Sequence, residues 1–250
     1  MTPDGPDPER AASFEVTHEA EATGTLVVGL SQFGLAGLTA VDYLTDHLEC
    51  DQVGHITAAE LPSITPFEGG RPRHHTRLFK PPDRDLTLLV NELFVPVWAA
   101  DAFANSLLDW VERNAITEVV VLSGVPIPHG PEEHEVFYVA TDDYRDHRLA
   151  DEAVPPMGVG FLDGVNASLM ARGMESPLRT GLFITPVHAQ APDVEASLRL
   201  LDTFTAVYDL AVDTEPLRQF AAEVENYYQE LAQRLETVEE RHVPDDRMYM

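Results

Sequence analysis

Residues 25–48 read TLVVGLSQFGLAGLTAVDYLTDHL, and this stretch decides how the rest of the chain is read. Leu26 to Leu30 is a short apolar run, the pattern of a strand buried on both faces. Gly29, Gly34 and Gly37 then loosen the backbone. Beyond them Leu35, Leu38, Val41 and Leu44 recur at helical spacing, while Asp42, Thr45 and Asp46 fall off that stripe. Strand, turn and helix in this order open an α/β domain, with the helix lying against the strand it has just left. A Gly-rich turn before a helix can hold an anion on free backbone N–H groups. The spacing G-x4-G-x2-G, however, is neither the dinucleotide fingerprint nor the P-loop, and no Lys or Arg lies between Arg10 and Arg71. The glycines are therefore expected to serve packing, Gly37 above all, where helix and sheet approach too closely for a side chain.

Outward from this unit the chain alternates short apolar strands with helices, the pattern of βαβ units on a mostly parallel sheet flanked by helices. Phe14, Val16 and His18 alternate with polar residues and predict an antiparallel edge strand; Asp51 to Ala59 predicts the next strand after the first helix. Arg73 to Phe79 alternates as a polar, exposed strand whose neighbouring His74 and His75 point to opposite faces and cannot share one metal ion. LTLLV within residues 85–93 and EVVVL at 118–122 predict buried strands, separated by a helix from about Val97 to Asn114. Further strands are expected at Val136 to Ala140 and Leu182 to Pro186, a short acidic helix or turn at Asp142 to Asp151, and an amphipathic helix from Asp193 to Asp209. The organisation expected is a flexible arm over 1–12, an α/β domain over 13–212, a C-terminal helix over 213–243 and a short tail over 244–250.

Two loops carry candidate chemistry. SGVPIPHGPEEHEV brings His129, Glu132, Glu133 and His134 together, but their spacing matches no helix or strand register and no second ligand set accompanies them, so a solvated loop is expected. GVGFLDGV repeats the physics of the first turn, with Gly158, Gly160 and Gly164 leading into a helix. A small-molecule site at the strand ends would gather Gly34, His129, His134 and Gly160. The single cysteine, Cys50, excludes a disulfide framework and a multi-cysteine zinc site, and reads as a packing residue. No metal or cofactor is called for.

Charge excludes whole classes of partner. With 43 acidic against 16 basic residues, net −27, and Lys80 as its one lysine, the chain repels nucleic acid and anionic lipid. No stretch of 18 apolar residues suggests a membrane span, and MTPDGPDPER lacks the basic start and apolar centre of an export signal, so a cytoplasmic protein is expected. The lysine-poor acidic balance resembles proteins of salt-accumulating halophilic cells, in which concentrated salt screens self-repulsion.

GLSQFGLAGLTAVDYL, LSGVPIP, GVGFLDGV and APDVEASLRLLDTFTAVYDLAVDTEPL, in this order between about Leu26 and Leu217, resemble the proteasome assembly chaperone 2 family in its archaeal form. The resemblance implies an α/β fold similar to nucleoside phosphorylases, homo-oligomers and no need for catalysis. Gln32-Phe33-Gly34 departs from the family's Gly-Asn-Val-Gly wording of the first turn. The chain ends Met248-Tyr249-Met250, a hydrophobic residue, a tyrosine and a final residue, the form by which activators and chaperones insert C-termini between α-subunits of the proteasome core particle. Read this way, the three residues are the partner-binding site on the α-ring. The alternative is a nucleoside-like small-molecule binder or a phosphorylase-like enzyme, for which the sequence offers no paired nucleophile and base.

Overall fold

A computed structural model describes residues 11–20, 22–127, 130, 134–150, 154–188 and 191–224. Residues 1–10 of the arm expected over 1–12, His129, Glu132 and Glu133 of the loop, most of the C-terminal helix and the tail lie outside the described residues.

The strands are β1 Ser13–His18, β2 Thr23–Leu30, β3 Asp51–Ala59, β4 Phe67–Glu68, β5 Arg71–Pro72, β6 Thr76–Lys80, β7 Leu86–Asn91, β8 Ala115–Val125, β9 Phe137–Ala140 and β10 Arg179–Pro186. The helices are α1 Ala36–His47, α2 Val97–Arg113, the short α3 Asp142–Tyr144 continued by a π-turn at Arg145–Leu149, α4 Gly164–Glu175 and α5 Val194–Val207. Eight strands form one sheet in the order β1-β3-β6-β7-β2-β8-β10-β9, and β4 and β5 make a separate hairpin. The centre, β7-β2-β8-β10, is parallel, and the flanking pairings are antiparallel. The protein is thus a mixed α/β structure with helices on both faces of a large sheet.

The central strands have no polar face. Leu26 and Val28 sink into one layer under α2 and α4 with Phe103, Leu107 and Leu169, while Val27, Leu88, Val120 and Phe183 are buried in the sheet's other face, which α1 and α5 cover. Gly37 behaves as its packing role requires: a Cβ there would overlap the Leu122 carbonyl of β8. The helix begins one residue later than its leucine stripe suggests. Gly34 and Leu35 both adopt left-handed backbone, φ 66° and 51°, so α1 starts at Ala36 and lays Ala36, Gly37, Ala40, Val41 and Leu44 on the sheet, leaving Leu35 and Leu38 half-buried.

The expectation of a polar, exposed strand at residues 73–79 is overturned. β6 is an interior strand between β3 and β7, and Arg77 is only 6% exposed. Its Nη2 donates to Glu92 Oε2 at 3.2 Å, lies 3.5 Å from Asp42, and its guanidinium sits 5.1 Å from the centre of the Phe79 ring. The residue types were polar, but a long arginine stem packs while its head finds carboxylates, and composition alone hides that. The His74 and His75 rings do part company: His74 stacks on His55 at 3.7 Å, and His75 contacts Thr76 Oγ1 at 2.8 Å.

The described residues up to Val212 form one compact unit; 213–224 belong to a second, within which 215–224 are helical. Among the described residues no helix is long and apolar enough to cross a membrane.

Candidate functional site: a cleft at the carboxyl ends of the parallel strands

The chain leaves β2 through α1 toward β3 on one side of the sheet and leaves β8 toward β10 on the other. Two neighbouring strands whose connections diverge open a crevice between their carboxyl ends. A cleft of about 720 Å³ occupies this place. Among the described residues it is walled by 30–35 at and after the end of β2, residues of 91–97 at and after the end of β7, 123–126 at the end of β8, residues of 157–166 running into α4, Ile184 of β10, and Ala191 and Pro192 before α5.

Each wall has a local cause. The left-handed Gly34 turns the chain sharply after β2, and its carbonyl accepts from the Asp193 backbone N–H at 2.8 Å, fastening this turn to the start of α5. Asp193 caps α5 by accepting from Ala196 N–H at 2.9 Å, and its second oxygen accepts from His188 N–H at 2.9 Å and meets the His188 ring at 2.9 Å. Burial alone would push this carboxyl up; the hydrogen bonds from His188 and Ala196 overcome it and hold the group below the usual aspartate range. Asn91 at the end of β7 spends its side chain on Thr76 Oγ1 and the Leu93 backbone.

The floor is polar and uncharged. Ser123 Oγ donates to Gln32 Oε1 at 2.9 Å, and Asn166 Nδ2 donates to Ser123 Oγ at 3.1 Å and to Gln32 Oε1 at 3.3 Å. Asn166 is 7% exposed, and its Oδ1 has no hydrogen-bond partner. The rim is apolar and open, with Phe33 and Phe94 exposed and Phe161 fully so. Among the described lining residues there is no Lys, Arg or His, and Asp163 is the one ionisable side chain.

The sequence-predicted residues converge only in part. Gly34 lines the cleft, and Gly160, whose Cβ position faces open space, immediately precedes the lining residue Phe161. His134 is not in the wall; its ring stands edge-on to His188 at 6.4 Å. His129 and Met248, Tyr249 and Met250 lie outside the described residues. Among the described residues no three His, Cys, Asp or Glu side chains gather as a metal site. Burial and the nearby Asp51 and Asp46 push the Cys50 thiol up to about 11, so it is protonated and a poor nucleophile at neutral pH. Sequence reasoning missed Gln32, Ser123 and Asn166. The signal for them was present: each is a neutral polar residue inside an otherwise apolar block, Gln32 just after β2, Ser123 near the end of β8 and Asn166 in the first turn of α4.

The PAC2 family model matches residues 26–232. The chain belongs to the PAC2 family. Among solved structures, PbaA of Pyrococcus furiosus, an archaeal homolog of proteasome-assembly chaperone, is 18% identical over 90% of this chain and 99% of its own, with a TM-score of 0.76. PbaB of Pyrococcus furiosus, an archaeal proteasome activator, is 18% identical over 89% of this chain and 99% of its own, also with a TM-score of 0.76. A Thermoplasma acidophilum protein of unknown function is 21% identical over 89% and 91%, at 0.73. At such identities the likeness is one of fold. No functionally curated protein matches the sequence.

Proposed function

We propose that this PAC2 protein is a non-enzymatic chaperone that assembles or activates the proteasome core particle, acting in the cytoplasm as a homo-oligomer. The observation that carries the reading is family membership over residues 26–232, joined to a fold in common with almost the whole of PbaA and PbaB. The resemblance to nucleoside phosphorylases is part of the same proposal at the level of fold only. Phosphorolysis needs a cationic seat for phosphate, and the described lining of the cleft supplies none, which favours the chaperone over the enzyme.

Docking on the α-ring would fall to the terminal Met248-Tyr249-Met250. Tyr249 would bury its ring with the hydroxyl at the pocket's edge, Met248 would fill an adjoining apolar spot, and the Met250 carboxylate would meet a basic residue of the partner. One such side chain contributes roughly 1.5–3 kcal/mol before ordering costs, so a single tail binds weakly. Several tails on one oligomer bind together through effective concentration. Capture of cognate core particles by the full chain and by a chain lacking residues 248–250 tests this. Loss of capture on truncation, with unchanged oligomer mass, is expected; undiminished capture refutes tail docking.

A further inference from the structure

We propose that the mouth of the cleft is a contact surface between two copies of this chain, each copy seating its Phe161 side chain in the cleft of the other. The inference rests on the homo-oligomer part of the proposed function and names the surface that joins the copies.

The protruding half of the contact is the loop before α4. Val159 and Phe161 are both fully exposed there, and a Cβ placed on Gly158 or Gly160, which flank Val159, would meet nothing within 4 Å. The loop ends at Gly164, whose left-handed backbone, φ 53°, turns the chain into the helix. The receiving half lies beside it. The cleft of about 720 Å³ has apolar walls from Leu30, Val95, Val125 and Ile184, ample for one aromatic ring, and Phe161 stands at its edge. Phe33, Phe94 and Val97 line the same mouth and are also exposed. A cluster of bare aromatic and aliphatic side chains of this kind marks a surface that is covered in an assembly, and large aromatic anchors set in pockets dominate such contacts.

Charge selects the occupant. The chain has 43 acidic residues among 250, yet Asp163 is the one ionisable side chain among the described lining residues. A basic partner would be drawn to carboxylates, and a face without them gives it nothing to pair with. A partner that is itself acidic needs the reverse, a face where approach brings few like charges together and strands no carboxylate away from water. A second copy, with its own net charge of −27, is such a partner. It also supplies the matching shape. When one face carries a projecting ring next to a hole, a two-fold axis through that face puts each ring in the opposite hole, so a single surface is complementary to itself.

Sedimentation equilibrium of the full chain tests the contact. The parent is expected to pair more tightly at about 2 M than at about 0.2 M KCl, because salt screens the repulsion and the contact holds no attractive charges to weaken. Phe161→Ala, which removes a side chain that its own protomer leaves fully exposed, is expected to fold as the parent does and to raise the dissociation constant of the pair about a hundredfold or more. Val95→Trp, which fills the half-buried wall of the cleft, is expected to pair as poorly with itself. A mixture of the two variants keeps one ring and one open hole between unlike copies, and is expected to pair about tenfold tighter than either alone. If Val95→Trp does not fold, the comparison of Phe161→Ala with the parent still decides. A parent that stays a single chain up to about 100 μM at high salt would refute this contact and the homo-oligomer reading together. An oligomeric parent matched by Phe161→Ala, a mixture that gains nothing, or pairing that weakens with salt would each overturn this contact alone. Should Phe161→Ala keep its mass but lose capture of core particles, the face would belong to the core particle and not to a second copy.

Discussion

The two ends of the parallel sheet handle buried polar groups in opposite ways. At the amino end, Glu118 of β8 is 1% exposed and fully engaged: Arg148 Nε and Tyr208 OH donate to Oε1 at 2.9 Å, Thr25 Oγ1 donates to the same oxygen at 3.0 Å, and Arg179 Nε donates to Oε2 at 3.0 Å. Tyr208 in turn contacts Tyr144 OH at 3.0 Å, and burial pushes the hydroxyls of both up, keeping them protonated. At the carboxyl end, Gln32, Ser123 and Asn166 satisfy one another but keep a donor and an acceptor over. The first arrangement ties β2, β8, β10 and the end of α5 together through one charge. The second leaves the buried Asn166 Oδ1 without a partner inside the protein. A fold can hold a site at one end of a sheet because the other end is closed.

The largest expected effect lies at the closed end. Glu118→Ala should lower stability by about 3 kcal/mol, read from the shift of the denaturation midpoint, because it strands two arginines and takes the acceptor from the Tyr208 and Thr25 hydroxyls. The arginine side chains are 28% and 29% exposed and can turn partly to water, which keeps the loss below the upper range for buried pairs. Glu118→Gln, which keeps an acceptor but removes the charge, should cost about half as much. Equal, small losses for both would mean that the amino end is held by packing, and the contrast between the two ends would fail.

An intermediate effect is expected at Asp193, the one carboxylate that is well engaged beside the cleft. Asp193→Ala removes the cap of α5 and the acceptor for His188 N–H, and should cost about 1–2 kcal/mol. The pH dependence has a definite sign. The folded carboxyl titrates below its ordinary value, so its contribution is fully present above about pH 4 and is lost as pH falls through the lower folded value. Asp193→Asn keeps an acceptor for the cap but does not titrate, so its stability curve should be flatter than that of the parent below about pH 4. Parallel acid limbs for the two proteins would remove Asp193 from the account.

Strands and helices were legible because their signals are local. LVVGL, LTLLV and EVVVL could only be buried in a sheet, and the apolar periodicity of α2 and α5 placed their inner faces. What failed was mostly what depends on residues far apart in sequence, with one local exception at the start of α1. Arg77 looked exposed because Glu92 and Asp42, which neutralise it, are 15 and 35 positions away. The leucine stripe of α1 was offset because left-handed backbone at Leu35 delays the helix, and nothing in leucine announces that conformation. The cleft's glycines were visible as turn residues. Its amides were not, since Gln32 meets Ser123 across 91 positions and Asn166 across 134, and each alone is an unremarked polar residue.

The smallest effect is expected at the open end, and its smallness is the point. Asn166→Leu deletes two hydrogen bonds, each worth about 0.5–1.5 kcal/mol, and also deletes a buried carbonyl that has no mate, whose desolvation costs about 1–3 kcal/mol. Leucine nearly matches asparagine in volume and adds apolar contact beside Val165 and Leu169, so the terms should cancel to within about 1 kcal/mol. Gln32, half-buried, can then turn its amide to water in the cleft, and Ser123 still donates to it. A midpoint that barely moves, set against the large loss at Glu118, would show that Asn166 stands there for something other than the stability of the fold. If instead Asn166→Leu cost as much as Glu118→Ala, the floor would be a second structural clamp, and the contrast between the two ends would fail.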